Sequence, residues 1–203
     1  MSVTYVDHMG TNLSVVNAAR RSYDRSSPFL TEKDVELIRR LGKKNHWTPF
    51  AHCSVSLDIE APIIVARQLA KHQIGLTWSE VSRRYTQDDI KLFRPDQWRL
   101  KDGGVYTPGS YDEEDADSIL TRAYYAANQA FHTLLEMGIP SEQARIVLPQ
   151  GMMVNWRWSG SLMAFARVCQ QRLSPHAQYE TQQVAREISD VCSRLFPHSW
   201  GIS

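Results

Sequence analysis

Along the chain, Cys53, Val55, Leu57 and Ile59 alternate with His52, Ser54, Ser56 and Asp58. A period of two predicts a β-strand with one apolar and one polar face, on which His52 and Ser54 point the same way. Ahead of it, a short alternating segment gives way across Gly10 and Asn12 to the helical pattern VVNAARRSY. Arg20, Arg21 and Ser22 fall where that helix ends and read as surface. Thr31 with Asp34 is a variant of the capping box, and Val35, Ile38 and Leu41 then recur at helical spacing until Gly42. In HWTPFAH, Pro49 pushes its predecessor out of the helical region and predicts a bend into the strand. Pro62 ends that strand and suits the first position of a helix over residues 63–72. On this helix Gln68, Lys71 and His72 share a side.

Beyond Gly75 the segment IGLTWSEVS reads as an irregular loop, and Ser82, Arg83, Arg84 and Tyr85 turn back toward extended structure. Residues 91–110, rich in Gly, Pro and Asp, predict a long surface excursion. The longest helix is expected from about residue 111 to 137, with Asp112, Glu113, Glu114 and Asp115 complementing its dipole. A short helix capped by Ser141 carries Arg145. GMMVNWRW is extended, a helix covers about residues 160–173, and Ser174-Pro175 restarts a last helix to about residue 195. No repeat or linker divides these parts. The expectation is one mixed α/β domain over residues 1–203 with a helical C-terminal half.

Lys and Arg number 23 against 22 Asp and Glu, a formal charge of +1. Nothing global therefore attracts a polyanion, so nucleic-acid binding would need a local patch such as Arg39, Arg40, Lys43, Lys44, Arg83 and Arg84. No apolar run is long enough to span a bilayer, and the N-terminus has no basic-then-apolar signal, so a cytoplasmic location without membrane attachment is expected. Cys53, Cys169 and Cys192 are odd in number and widely spaced, which argues against a disulfide framework. His46 and His52, six apart without a Cys or carboxylate cluster, make a poor metal site, and none is expected.

The polar stretch RQLAKHQIGLTWSEVSRRY, residues 67–85, holds two Gln, one Lys, one His, one Glu and three Arg. So much hydrogen-bonding capacity with so little core value suits docking of a polar ligand, and forked guanidinium donors match phosphate oxygens. A solvated helix followed by a charged loop accounts for the same composition.

Several pieces recur in order in one family. HWTPFAH resembles the HxTPFEH segment of flavin-dependent thymidylate synthases, and residues 67–85 resemble their signature, written RHRxxSxNExSxRY. ARIVLP followed by a Trp, Arg172, and SPHAQYE resemble their C-terminal half. The resemblance implies a mostly antiparallel sheet flanked by helices and the reductive methylation of dUMP to dTMP. It implies FAD as cofactor, methylenetetrahydrofolate as carbon donor, NADPH as reductant, and a homotetramer with shared active sites. No cysteine nucleophile is needed, so orientation and electrostatics must activate the pyrimidine.

By the same resemblance, Ser82, Arg83 and Arg84 match the phosphate grip, and Glu80 matches a Glu beside nucleotide and flavin. Gln68, Lys71 and Arg145 match further dUMP contacts, and Arg172 matches the Arg at the pyrimidine edge. Arg172 and Glu80 are thus the catalytic candidates. Ser22, His52, Ser54, His72, Gln73, Ser79, Ser161 and Arg167 match flavin contacts, with Glu80 shared.

This chain departs from the pattern in four places. KHQ replaces RHR, the interval to Ser82 is one residue longer, Trp78-Ser79-Glu80 stands where the family has a residue, Asn and Glu, and Ala51 replaces a Glu. SxRY survives in Ser82, Arg84 and Tyr85. The departures leave open a branch acting on another pyrimidine nucleotide, such as dCMP, by methylation or hydroxymethylation. They also leave open a silent relative that only binds nucleotide or flavin.

Overall fold

A computed structural model describes residues 1–86, 90–107 and 115–201. Its strands are β1 (Ser2–Met9), β2 (Ser54–Pro62), β3 (Leu76–Glu80) and β4 (Met153–Ser161), forming one sheet in the order β1-β2-β4-β3. β1 pairs antiparallel with β2, from Ser2 opposite Glu60 to Met9 opposite Ser54, with an irregularity between Tyr5 and Asp7. β3 pairs antiparallel with β4, from Leu76 opposite Gly160 to Glu80 opposite Trp156. Between β2 and β4, Ser56 meets Ser159 at 2.8 Å and Asp58 accepts from Arg157 at 2.8 and 2.7 Å. One index rises as the other falls, the signature of antiparallel pairing.

Contacts gather into two compact units. The first comprises Met1–Ala61, Val65–Glu80 and Asn155–Ser203; the second comprises Pro62–Ile64 and Val81–Val154. In the first unit the apolar sheet face buries Val55, Leu57, Ile59, Trp156 and Trp158. Helices α1 (Asn12–Arg20), α2 (Glu32–Lys43), α6 (Leu162–Arg172) and α7 (Tyr179–Leu195) contribute Val15, Val16, Ile38, Phe165, Val168, Val184 and Ile188 to the same core. Phe165 meets the Trp158 ring edge-on at 5.4 Å.

The capping box at Thr31 is present: Asp34 N–H donates to Thr31 Oγ1, and Thr31 N–H donates back to Asp34 Oδ2. Asp34 is almost wholly buried, and Arg20 at the end of α1 reaches its carboxylate at 2.5 Å. Arg20, expected at the surface, instead ties α1 to α2. Burial alone would raise the Asp34 pKa, but the Thr31 hydrogen bonds and the Arg20 charge outweigh it and hold the carboxyl below its ordinary value.

In the second unit α4 (Ala116–Glu136) buries Tyr124 and Phe131, and the Tyr124 hydroxyl donates to the Phe93 carbonyl at 2.8 Å. Asp115 caps α4 by accepting from Ser118 N–H. The expected earlier start of this helix, with Asp112, Glu113 and Glu114, lies outside the described residues. A single turn, α5 (Ser141–Ala144), leads into a 3-10 turn over Arg145–Val147. No helix among the described residues is long and apolar enough to cross a membrane.

Several sequence expectations change. The segment expected to be a loop after Gly75 is the edge strand β3, whose Leu76, Trp78 and Glu80 share one face. The helix expected over residues 63–72 is α3 (Ile63–Leu69), which stops before Lys71 and His72, and Pro62 is the last strand residue. His52 ends a 3-10 turn over Thr48–His52 with Pro49 near its start, so only Ser54 of that pair lies on β2. Gly160 and Ser161 belong to β4 rather than to the helix after it, and the last helix begins at Tyr179.

Candidate functional site

In the first unit, α6 ends on Arg172. Its Nε donates to His72 Nε2 at 2.9 Å and its Nη2 donates to the Gln68 carbonyl at 3.2 Å. That carbonyl is available because α3 stops at Leu69, and the His72 N–H that would reach it in a continued helix donates to the Leu69 carbonyl instead. Burial, and then the Arg172 charge, lower the His72 pKa below its ordinary value, so the ring is held neutral with Nε2 as acceptor.

Gln68 is fixed in turn. Its Nε2 donates to Gln178 Oε1, and its Oε1 accepts from the buried Thr181 hydroxyl at 3.1 Å. Gln178 donates onward to Glu180 at 2.9 Å. The Gln68 amide, expected to face substrate, is thus engaged by the start of α7. Gln178 and Thr181 were not singled out in the sequence, although SPHAQYE contains Gln178 and immediately precedes Thr181.

At the end of β3, Trp78 stacks on Trp156 with centroids 4.4 Å apart and planes inclined by 14°, and meets Trp158 edge-on at 5.5 Å. Its Nε1 donates to Glu80 Oε2 at 3.1 Å. The exposed Glu80 carboxylate is therefore oriented by an indole whose own plane is fixed by stacking. The alternation of Leu76, Trp78 and Glu80 was the available signal for this strand.

In the second unit, Ser82 opens a tight turn. Its Oγ accepts from Arg84 N–H at 3.2 Å, and its carbonyl accepts from Tyr85 and Thr86 N–H at 3.0 and 3.2 Å. The Arg84 guanidinium reaches Glu142 at 3.4 Å and lies over the Tyr85 ring at 5.5 Å. The Ser141 hydroxyl donates to the Arg84 carbonyl, and Arg145 Nε donates to the Glu142 carbonyl at 3.3 Å. Ser82, Arg84 and Arg145 are thus gathered around α5, with Arg83 half-buried in the same turn. Forked guanidinium donors beside a hydroxyl suit a phosphate.

The remaining candidates divide. Ser161 is the N-cap of α6 and its hydroxyl accepts from Ala164 N–H at 3.2 Å. Arg167 lies over the Trp47 ring at 5.5 Å, and Trp47 lines an apolar cleft with Phe50, Leu162 and Met163. Ser22, His52, Lys71, Gln73 and Ser79 are exposed, and Ser54 is half-buried on β2. Among the described residues no hydrogen bond joins Ser22, His52, Ser54 or Arg167 to the Arg172 group. The exposed imidazole of His52, amide of Gln73 and hydroxyls of Ser22 and Ser79 have no side-chain partner among the described residues. In chemistry they fit a flavin, which presents a polar ring edge and an anionic diphosphate. His72 differs from them in that its Nε2 accepts from Arg172.

All three thiols are buried. Burial pushes Cys53 up to about 11 and Cys192 up to about 12, and raises Cys169 as well. None has the thiolate character of a nucleophile. Among the described residues no group of three or more His, Cys, Asp or Glu could hold a metal ion.

A family model described as thymidylate synthase complementing protein matches residues 4–198. A flavin-dependent thymidylate synthase of Pseudothermotoga lettingae is 31% identical over 198 residues, covering 98% of this chain and 87% of that one. One of Thermus thermophilus is 32% identical over 200 residues, covering 98% and 73%. The chain is also similar to the crystal structure of a UMP/dUMP methylase, PolB, from Streptomyces cacaoi bound with 5-Br dUMP. That likeness has a TM-score of 0.86 and 29% identity and covers 98% of this chain and 92% of that chain. The same methylase bound with 5-Br UMP gives a TM-score of 0.85 at 28% identity.

Proposed function

The chain belongs to the thymidylate synthase complementing protein family, the flavin-dependent thymidylate synthases, and from that premise we propose that it converts dUMP to dTMP by reductive methylation. FAD is the cofactor, methylenetetrahydrofolate the carbon donor and NADPH the reductant in this reading. The enzyme works in the cytoplasm as a homotetramer with shared active sites.

The observation that carries the reading is the setting of Arg172. Its Nε and one Nη2 hydrogen go to His72 and Gln68, which leaves the rest of a rigid fork for a ligand. A fixed cation of this kind stabilises negative charge developing on a pyrimidine carbonyl, at no cost of reorganisation during the reaction. Ser82, Arg83, Arg84 and Arg145 hold the 5′-phosphate, where exchange of Glu142 for a dianion strengthens the charge-assisted bonds. Glu80, oriented by Trp78, receives the nucleotide beside the flavin, and Lys71 adds a point charge to the nucleotide contacts. The flavin, when bound, supplies the reducing equivalents. In this reading Ser22, His52, Ser54, Gln73 and Ser79 hold it, with Ser161 and Arg167 as lesser contacts.

A second reading accepts UMP as well as dUMP, favoured by the likeness to a methylase described with both nucleotides. The relatives described above are flavin-dependent thymidylate synthases and a UMP/dUMP methylase. Purified protein with bound flavin, given dUMP, UMP and dCMP with methylenetetrahydrofolate and NADPH, should methylate dUMP by product mass. A colourless preparation that cannot be reconstituted with FAD, or one that leaves dUMP unchanged, overturns the reading.

A further inference from the structure

Arg172 is held by two neutral acceptors, the His72 imidazole at 2.9 Å and the Gln68 carbonyl at 3.2 Å. Among the described residues no carboxylate pairs with it. A carboxylate would orient a guanidinium equally well but would cancel its charge toward a third group, whereas an imidazole acceptor fixes the plane and leaves the cation whole. The bond also fixes a tautomer: Nε2 carries no proton, so the ring proton sits on Nδ1. Gln68 reinforces the arrangement, because its side chain is locked by Thr181 and Gln178 and its carbonyl cannot drift from Arg172.

We propose that His72 is a positioning residue for Arg172, aiming an uncompensated guanidinium at the substrate through a neutral hydrogen bond. This inference rests on the nucleotide reading above. It gives the middle residue of KHQ a task different from the flavin contact that its place in the signature implied.

Three variants of the holoenzyme test it: His72→Ala, His72→Gln and His72→Glu, with His72→Ala repeated in an Arg172→Ala background. Steady-state turnover of dUMP, dUMP affinity by calorimetry and flavin content by absorbance are read for each. His72→Ala should lower kcat/KM by about 10- to 100-fold, the worth of a hydrogen bond to a charged group. His72→Gln keeps a neutral acceptor and should return to within about threefold of the parent, while His72→Glu keeps an acceptor but adds charge and should not. In the Arg172→Ala background His72→Ala should cost nothing further. Flavin content should be unchanged throughout.

Equal activity of the Gln and Glu variants, multiplying effects of His72 and Arg172, or flavin loss in step with activity each overturn the proposal. If His72→Ala does not fold, the Gln and Glu pair decides alone. If the parent protein never turns over dUMP, the proposed function fails, and the positioning role is decided by the ¹⁵N resonance of Arg172 Nε–H. A slowly exchanging signal present in the parent and His72→Gln supports it, and no such signal in the parent overturns it.

Discussion

Arg84 and Glu142 meet at 3.4 Å with side chains 50% and 53% exposed, so the guanidinium assigned to phosphate is held by a partner it can give up. An exposed pair of this kind contributes about 0–1 kcal/mol. Glu142→Gln should therefore change stability by less than about 1 kcal/mol and tighten dUMP binding by up to about fivefold, as read by calorimetry. Weaker binding would mean that Glu142 orients Arg84 for the nucleotide rather than competing with it.

Removing either cation should separate their roles. Arg84→Ala and Arg172→Ala should each cost about 2–5 kcal/mol in kcat/KM, because each strands anionic charge on the substrate. The loss should fall mainly on KM for Arg84 and on kcat for Arg172. Arg84→Lys should not restore the parent value, since a point charge lacks the fork. Normal dUMP turnover by both alanine variants would refute the assigned nucleotide site.

The thiols should be chemically silent in the native state. With Cys53 at about 11 and Cys192 at about 12, the thiolate fraction of either near pH 8 is about one in a thousand or less. A disulfide reagent should label none of the three until denaturant is added, and methylation should persist in a folded triple Cys→Ser variant. Loss of chemistry without loss of folding would point to a thiol mechanism.

Asp34 sets an acid limit on stability. Its folded pKa lies below the ordinary 3.8, so its stabilising contribution is fully present above that value and is lost as pH falls through the folded pKa. Thermal melts should show Asp34→Asn less stable than the parent near pH 7, with the gap closing below about pH 4. A gap that stays constant with pH would remove the charged carboxylate from the explanation.

Gly160→Ala should disturb the edge strand. A Cβ there would lie 2.4 Å from the Gly75 carbonyl oxygen and 3.1 Å from Leu76 Cα, both backbone atoms that yield only if β3 shifts. A loss of about 1–3 kcal/mol is expected, with a weaker near-ultraviolet circular dichroism signal from the Trp78–Trp156 stack. An unchanged signal would show that the strand pair absorbs the methyl group without moving β3.

Local chemistry in the sequence was enough for the alternating strand ending at Pro62, the Thr31–Asp34 cap and Ile38 on the buried side of α2. Each depends on neighbours a few residues away, through pleat, hydrogen bond or helical period. The SxRY segment was legible as a polar turn for the same reason, because Ser82 and Arg84 are joined within it. Tertiary structure decided the rest. Residues 76–80 form a strand because β4 offers an edge and Trp78 finds Trp156 there, partners far away in sequence. His72 meets Arg172 because α3 stops three residues early, freeing a carbonyl and an imidazole to meet a helix end 100 residues on. The residue types were written locally, but their pairing required folding to bring distant segments within hydrogen-bond reach.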